Sequence, residues 1–179
     1  YPSGDDFPEN TLRFYVHFST PMKPHLSTQF IKLVDANGVS DTAAFMAFKQ
    51  ELWSEDRKRL TLLMDPGRIK RGVAQNLALG PALLQGNNYS LVIEAGWPSA
   101  SGEHTMPGFE KSFSVSKALR TLPDTNSWAI VPPEVLTREP LLIEFDRPFD
   151  YQLVESSITV LDKAGQLIPG AVSIERHEK

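Results

Sequence analysis

One stretch near the start of the chain decides the fold, and it reads Leu12-Arg13-Phe14-Tyr15-Val16-His17-Phe18. Its even-numbered residues are all apolar, and between them lie Arg13, Tyr15 and His17. Successive side chains of a strand point to opposite faces of a sheet, so a period of two places the apolar residues on one face. We therefore predict a β-strand with one buried face.

The same pattern returns 127 residues further along the chain without a gap. An alternation of apolar residues recurs by chance, but a matching Pro, Asp and Gly in the same register rarely does. We infer that a β-rich unit is duplicated. The matched pairs are Phe14 and Leu141, Phe18 and Phe145, Pro21 and Pro148, Asp35 and Asp162, and Gly38 and Gly165.

Further short strands, bounded by Gly, Pro, Asp or Ser, follow from the same pattern. The turn Asp35-Ala36-Asn37-Gly38 should close a hairpin, because Asn-Gly tolerates positive φ. We expect an all-β sandwich of two antiparallel sheets, with residues 65–88 as a long connection that holds at most a short helix or strand around 69–79. The strands are predicted at 30–34, 43–48, 60–64, 89–95 and 109–115, and in the second copy at 128–131, 140–145, 157–161 and 171–175.

The predicted domains are a complete sandwich at residues 1–117, a linker at 118–125 and the first half of a second sandwich at 126–179. Residues 1–117 carry 12 Lys and Arg against 12 Asp and Glu, while the rest carries 6 against 10, which places the whole net charge of −4 there. The second copy lacks a counterpart of residues 60–115. We expect uncovered strand edges, and either further chain or another molecule that completes this unit.

Composition excludes several classes of protein and site. The chain has no cysteine, which rules out disulfides, thiolate metal sites and a cysteine nucleophile. Its acidic balance argues against nucleic acid as a partner. The sequence holds no apolar run of 18 residues, so no membrane span is expected in this segment.

A family resemblance rests on the ends of the predicted strands. The chain resembles the bacterial immunoglobulin-like domains of the S-layer (SbsA-like) type, with one full copy and part of a second. The second copy departs from the pattern because only Phe145 and Pro148 of the first motif remain. The motifs that carry the resemblance are Phe18-Ser19-Thr20-Pro21-Met22, Asp35 to Gly38, Leu60-Thr61-Leu62 with Pro66, Leu83 to Tyr89, and Gly102.

The resemblance implies an immunoglobulin-like antiparallel β-sandwich that serves as a spacer or interaction module. Such domains belong to exported bacterial proteins, so we expect a cell-surface, extracellular or periplasmic location. No catalytic residues come with the resemblance. Pro21 should end a strand because it cannot donate to a ladder, and Met22 should fold onto the core. The Tyr89 hydroxyl is expected to bond to backbone a few residues upstream, as in a tyrosine corner.

Motifs of enzyme chemistry are missing from the sequence, so we expect no enzyme and no cofactor. The four histidines, His17, His25, His104 and His177, show no metal-ligand spacing, and we interpret His17, His25 and His104 as surface residues. Calcium is the one ion that remains open. The loop from Asp35 to Asp41 lacks the third early oxygen ligand and the late glutamate of an EF-hand, so it predicts a hairpin first. The better candidate ligands are Asp5, Asp6 and Asp124 near the domain junction.

Two features are candidates for ligand binding. Trp97 lies in a polar loop at residues 96–102, where an exposed indole face would stack on a sugar ring. Arg68, Lys70 and Arg71 form a basic cluster that would dock an anionic glycan or a protein. The alternative is that nearby acidic residues pair with these cations on a solvated face.

The predicted function is therefore a non-catalytic structural or adhesive module, with a protein or a cell-surface glycan as partner. Two alternatives stay open. One is a carbohydrate-binding module that uses Trp97, and the other is an accessory domain of a surface hydrolase whose catalytic domain lies outside this chain.

Overall fold

The structure, a computed structural model, describes residues 1–47, 50–175 and 178. The predictions that concern Phe48 and His177 lie outside these residues. The chain divides into two compact units. Unit 1 comprises Tyr1 and Asp5–Leu119, and unit 2 comprises Pro2–Gly4 and Arg120–Lys179.

The described part of the chain is mostly β, with a few short helices. Its strands are β1 (Asp6–Pro8), β2 (Arg13–His17), β3 (Ile31–Asp35), β4 (Ser40–Asp41), β5 (Leu52–Trp53), β6 (Arg59–Leu63), β7 (Asn88–Ile93), β8 (Phe109–Ser116), β9 (Ala129–Val131) and β10 (Leu142–Glu144). Its helices are α1 (Ser27–Phe30), α2 (Pro66–Ile69), α3 (Ala74–Leu79), α4 (Tyr151–Ser157) and a 3-10 turn at Thr125–Ser127.

Unit 1 contains a five-stranded sheet in the order β1-β8-β7-β3-β4. The neighbours β8-β7, β7-β3 and β3-β4 are antiparallel, but β1 pairs with β8 in parallel. The sheet is therefore mixed, which corrects the prediction of purely antiparallel sheets. A parallel pair needs a long connection, and here the whole of unit 1 supplies it, because β1 and β8 are its first and last strands. Strand β1 also covers the edge that β8 would otherwise expose.

A second sheet of unit 1 has three antiparallel strands in the order β2-β6-β5. In the β2-β6 ladder Phe14 lies opposite Leu62 and Val16 opposite Leu60. The predicted strand at residues 12–18 is confirmed over Arg13–His17.

Buried side chains of both sheets belong to one hydrophobic core. On β7 the buried residues alternate, with Tyr89, Leu91 and Ile93 inside. The rings of Phe14 on β2 and Phe113 on β8 lie 5.7 Å apart, so the two sheets are in direct contact through aromatic side chains. The period-two pattern of the sequence is thus the pattern of burial on β7. On β2 it holds for Phe14, but Tyr15 from the opposite face is also buried, and the predicted inward residue Leu12 is 56% exposed.

The strand predicted at residues 43–48 is wrong in its described part. Phe45 forms only an isolated bridge with Met64. After β4 the Asp41 carboxylate accepts the N–H of Ala43 at 2.9 Å, in a turn that leads to this bridge. Three further strands, namely β1, β4 and β5, were not predicted.

The long connection after β6 holds the short helices α2 and α3. Helix α2 begins at Pro66, whose missing N–H costs nothing in a first turn, and Asp65 caps it by accepting the N–H of Gly67 at 2.7 Å. Helix α3 ends at Leu79 and is followed by Gly80, which takes a φ of 73°. The segment thus holds two short helices, where at most one short helix or strand was predicted around residues 69–79.

Unit 2 contains a two-stranded antiparallel sheet of β9 and β10, in which Leu142 lies opposite Val131. The predicted strands at 128–131 and 140–145 are confirmed in these shorter spans. Three rings pack together beside the sheet, because Phe145 lies 4.8 Å from Trp128 and 5.0 Å from Phe149. Asp150 begins α4 and accepts the N–H of Leu153 at 3.0 Å.

Two predicted strands of unit 2 are wrong. Residue 157 ends α4, and residues 158–161 form only the bridge between Leu161 and Leu167. Residues 171–175 have no strand. The matching strand of unit 1, β3, lies between β7 and β4, and within the described part of unit 2 no strand takes the place of β7.

Candidate functional site

Trp97 lies at the centre of an aromatic cluster and is fully buried. The ring of Phe30 stacks on it at 5.5 Å, and Phe18 and Trp53 meet it edge-on at 5.5 and 5.9 Å. Its Nε1–H donates to the carbonyl of Lys23 at 2.9 Å. The expectation of an exposed Trp97 is corrected, and with it goes the open ring face on which sugar stacking depends.

The same cluster holds the predicted Pro21-Met22 motif. Met22 is buried, as predicted, and its N–H donates to the carbonyl of Arg57 at 3.1 Å. The carbonyl of Pro21 accepts the N–H of Ala100 at 2.8 Å, so the motif is tied to the loop after Trp97. This loop is therefore part of the packed structure.

Arg68 is also buried, at 5% exposure. Its guanidinium donates to both carboxylate oxygens of Asp41, at 2.8 and 3.3 Å, and to the carbonyls of Gly80 and Pro81. A planar fork of five donors suits this arrangement. Arg68 thereby fastens the connection of α2 and α3 to β4.

The three predicted cations do not form one patch. Lys70 and Arg71 are on the surface, and Arg71 pairs with Glu9 at 2.5 Å. Arg68 faces the interior, where a docking glycan does not reach it. The alternative of ion pairs on a solvated face fits Arg71, although its partner Glu9 is distant in sequence, and Arg68 is corrected from a surface cation to a buried one.

Tyr89 makes the contact that the sequence predicts. Its hydroxyl oxygen accepts the N–H of Leu84, five residues upstream, at 3.2 Å. Its ring is buried and stacks on Phe113 at 6.1 Å. The prediction of a backbone contact for this hydroxyl is confirmed.

Two hairpins, one in each unit, share the same set of hydrogen bonds. The carboxylate of Asp35 accepts the N–H groups of Asn37 and Val39 at 2.9 and 2.8 Å. At the matching positions, 127 residues later, Asp162 accepts from Ala164 and Gln166, both at 2.8 Å.

The backbone of these hairpins agrees as well. The N–H of the glycine donates to the carbonyl of the aspartate at 3.0 Å in both. Gly38 and Gly165 have φ angles of 80° and 79°, in the left-handed region that glycine enters without strain. The predicted turn at Asp35 to Gly38 is confirmed.

The carboxylates proposed for calcium already have hydrogen-bond partners. The N–H of Val39, together with that of Asn37, holds the pKa of Asp35 below its ordinary value. Asp5 pairs with Lys111 at 3.2 Å, and Asp124 accepts the N–H of Asn126 at 3.0 Å. Within residues 1–47, 50–175 and 178 no three acidic or histidine side chains gather as metal ligands.

A shallow cleft of about 120 Å³ opens beside α1 and the β5-β6 pair. It is lined by polar residues, including His25, Ser27 and Thr28, and by apolar residues, including Met46 and Leu52. This cleft is the candidate binding surface of unit 1.

Glu51 organises the wall of the cleft. Its carboxylate accepts three N–H groups at 2.6 Å, from the backbone of His25 and Ser27 and from the indole of Trp53. Burial alone would raise its pKa, but the hydrogen bonds from Ser27, Trp53 and His25 outweigh burial and lower the pKa below the ordinary value of 4.5. His25 has a φ of 66°, and its N–H bond to Glu51 holds this strained turn.

The carboxylate of Glu51 is thus engaged in positioning the turn before α1. Glu51 carries no sequence signal for this role, because its partners His25 and Ser27 are 26 and 24 residues away and no local pattern connects them.

The chain matches no protein-family model, and no curated protein sequence is significantly similar to it. In the described part of the chain, no helix is long and apolar enough to cross a membrane.

Proposed function

We propose that the chain is a non-catalytic structural module of an exported bacterial surface or periplasmic protein. In this proposal it contains one immunoglobulin-like β-sandwich of the S-layer (SbsA-like) type and part of a second, and it spaces or presents other domains. The observation that carries the proposal is the hairpin found once in each unit, at Asp35 to Val39 and at Asp162 to Gln166. Repeated modules of one kind are what a spacer is built from.

The contacts of unit 1 support the sandwich within this proposal. Phe7 and Phe113 of the five-stranded sheet meet Phe14 of the three-stranded sheet, with ring centroids 5.8 and 5.7 Å apart. Tyr89 bonds to the backbone of Leu84 as a tyrosine corner would. Two sheets that share one core, with a tyrosine fixing a corner, are the parts of an immunoglobulin-like fold.

The prominent polar and aromatic side chains also support a structural role. Trp97 and Arg68, the residues with the strongest ligand-binding chemistry in the sequence, serve the interior packing of unit 1. Their burial favours a spacer over a carbohydrate-binding module.

The test is display of the whole chain between a bacterial surface anchor and a reporter protein. We expect the reporter to remain at the surface under an external protease that releases it from a Gly-Ser linker of 179 residues, because a folded module hides its backbone from cleavage. Release of the reporter at the linker's rate would contradict the proposal.

A glycan array with the purified chain separates the proposal from its alternative. A spacer shows no saturable binding. Saturable binding to one class of glycan would overturn the spacer and favour a carbohydrate-binding module that uses a surface other than Trp97.

A further inference from the structure

The first and last strands of unit 1 lie side by side and run in the same direction. Asp6 on β1 is opposite Ser114 on β8, and Pro8 is opposite Ser116. The chain therefore enters β1 at one end of this pair and leaves β8 at the other. A force that pulls the N-terminal end of β1 away from the C-terminal end of β8 slides the two strands along each other. It therefore loads all hydrogen bonds of the pair at the same time.

The β7-β8 pair differs because its strands are antiparallel. Asn88 at the start of β7 lies opposite Ser114, close to the end of β8. Tension applied at that end opens the pair from one side and breaks its hydrogen bonds one after another. The β1-β8 pair thus resists the first direction of force more strongly than the β7-β8 pair resists the second.

Backbone and side-chain hydrogen bonds join β1 to β8. The N–H of Ser114 donates to the carbonyl of Asp5 at 2.9 Å, and the N–H of Glu9 donates to the carbonyl of Ser116 at 3.0 Å. The hydroxyl of Ser114 donates to the Asp6 carboxylate at 2.6 Å. This last bond is charge-assisted and so is stronger than the backbone bonds.

Asn10 extends the pair beyond the end of β8. Its Nδ2 donates to the carbonyl of Leu119 at 2.8 Å, and its Oδ1 accepts the N–H of Leu119 at 2.9 Å. One side-chain amide thus binds the backbone of the last residue of unit 1 from both sides. The Asn10–Leu119 contact is therefore the first to bear a force applied to the chain after unit 1.

Phe7 anchors β1 against sliding. It is 3% exposed, and its ring lies 4.8 Å from Phe113 and 5.8 Å from Phe14. Moving β1 along β8 would pull this ring out of the core, which adds the loss of apolar burial to the loss of hydrogen bonds.

We propose that unit 1 is a mechanical clamp, in which the parallel β1-β8 pair carries tension in shear and the Asn10–Leu119 contact locks its exit end. The proposal rests on the proposed spacer function for its biological use, since a spacer between an anchor and a bound surface is pulled from both ends. Its physical content, a resistance that depends on the direction of pulling, belongs to unit 1 alone.

The experiment is single-molecule pulling of the full chain, which has no cysteine and so accepts handles at chosen positions. Handles at Asp5→Cys and Leu119→Cys, which lie in unit 1 directly before β1 and after β8, pull the two strands in shear. The control handles, at Asn87→Cys and Lys117→Cys, unzip β7 from β8. We expect a higher rupture force in the first geometry, and equal forces would overturn the clamp.

Two matched alanine variants locate the resistance. Asn10→Ala removes two hydrogen bonds of the clamp, and under constant force in the shear geometry we expect unfolding about tenfold faster. Ser112→Ala is the control, because Ser112 on the same strand β8 contacts Ser90 of β7 at 3.0 Å, on the other side from β1. It should leave the shear rate unchanged.

The pulling experiments test the clamp, and the display experiment tests the spacer function. If Ser112→Ala accelerates unfolding in shear as much as Asn10→Ala, the lock at Leu119 is refuted. Refutation of the clamp leaves the spacer to be judged by the display experiment, and release of the displayed reporter would count against the spacer without altering the measured force ratio.

Discussion

At the scale of single residues, the side chains that matter most connect parts of the chain that are far apart in sequence. Arg68 reaches Asp41 across 27 positions, and Trp97 reaches the carbonyl of Lys23 across 74. Their residue types indicated chemistry correctly, as a cation that binds acceptors and an indole that stacks. Their partners, however, belong to this chain and not to an external ligand. These partners could not be predicted because they are far away in sequence.

We predict that Glu51→Gln destabilises unit 1 by about 1–3 kcal/mol at pH 7, because three N–H donors lose a charged acceptor. The pKa of Glu51 is lowered in the folded protein, so its contribution is present above the unfolded value and is lost as the pH falls through the folded value. The difference between wild type and variant should therefore shrink below about pH 4.5.

Urea unfolding followed by tryptophan fluorescence at several pH values measures this difference. Glu55→Gln, at an exposed position four residues away, is the control and should match the wild type. A stability difference for Glu51→Gln that is the same at pH 7 and pH 3 would contradict the role of the carboxylate.

For Arg68→Met we expect a loss of about 2–3 kcal/mol, because Asp41 and two carbonyls are left without their donor. Arg71→Met removes an exposed ion pair and should change stability by about 0.5 kcal/mol or less. Chemical denaturation of both variants tests the contrast. Equal losses of stability in the two variants would show that burial does not determine the contribution of Arg68 to the free energy of unfolding.

At the scale of elements, local chemistry explains what the sequence predicts well. The hairpins at Asp35 and Asp162 form within five residues, from a carboxylate that accepts two N–H groups and a glycine with positive φ. Tyr89 bonds to Leu84 over the same short range. Strand predictions failed where a strand forms only next to a partner strand. Residues 157–161 are an example, because their counterpart in unit 1, β3, pairs with β7.

Gly38→Ala and Gly165→Ala test the repeated hairpin. A Cβ at either position meets nothing within 4 Å, so the expected cost is that of the left-handed backbone alone, about 1–2 kcal/mol. Gly170→Ala is the control, since it also has open space but no positive φ, and it should cost far less.

Unfolding of each unit in urea, resolved by amide NMR signals, measures these costs. If Gly170→Ala were as costly as Gly165→Ala, strain at positive φ would not be the cause. If only one hairpin glycine were sensitive, the two turns would not be energetically equivalent.

At the scale of the whole molecule, the two units differ in how much of the shared pattern is covered. Leu33 on β3 is fully buried, whereas its counterpart Val160 is 40% exposed. Phe14 is 2% exposed and its counterpart Leu141 is 39% exposed. Leu141 and Val160 of unit 2 are thus less covered than the matching residues of unit 1.

We predict that hydrogen exchange separates the two units. The amides of residues 31–34 should exchange much more slowly than those of 158–161, because β3 has a hydrogen-bonded neighbour on each side. Mass spectrometry of peptides that cover both segments provides the measurement. Equal protection of the two segments in dilute solution would contradict this prediction.

By itself, the sequence determined the β character of the chain, its repeat at 127 residues, the aspartate-glycine hairpins and the Tyr89 contact. All of these depend on the period of side chains or on hydrogen bonds that span a few residues, so a short stretch of sequence is enough to predict them. Only the tertiary structure decided that Trp97 and Arg68 are buried, that Glu51 holds the turn at His25, and that β1 pairs in parallel with β8. These features arise when distant segments are brought together by burial of apolar surface, which has no direction and leaves no motif in the chain.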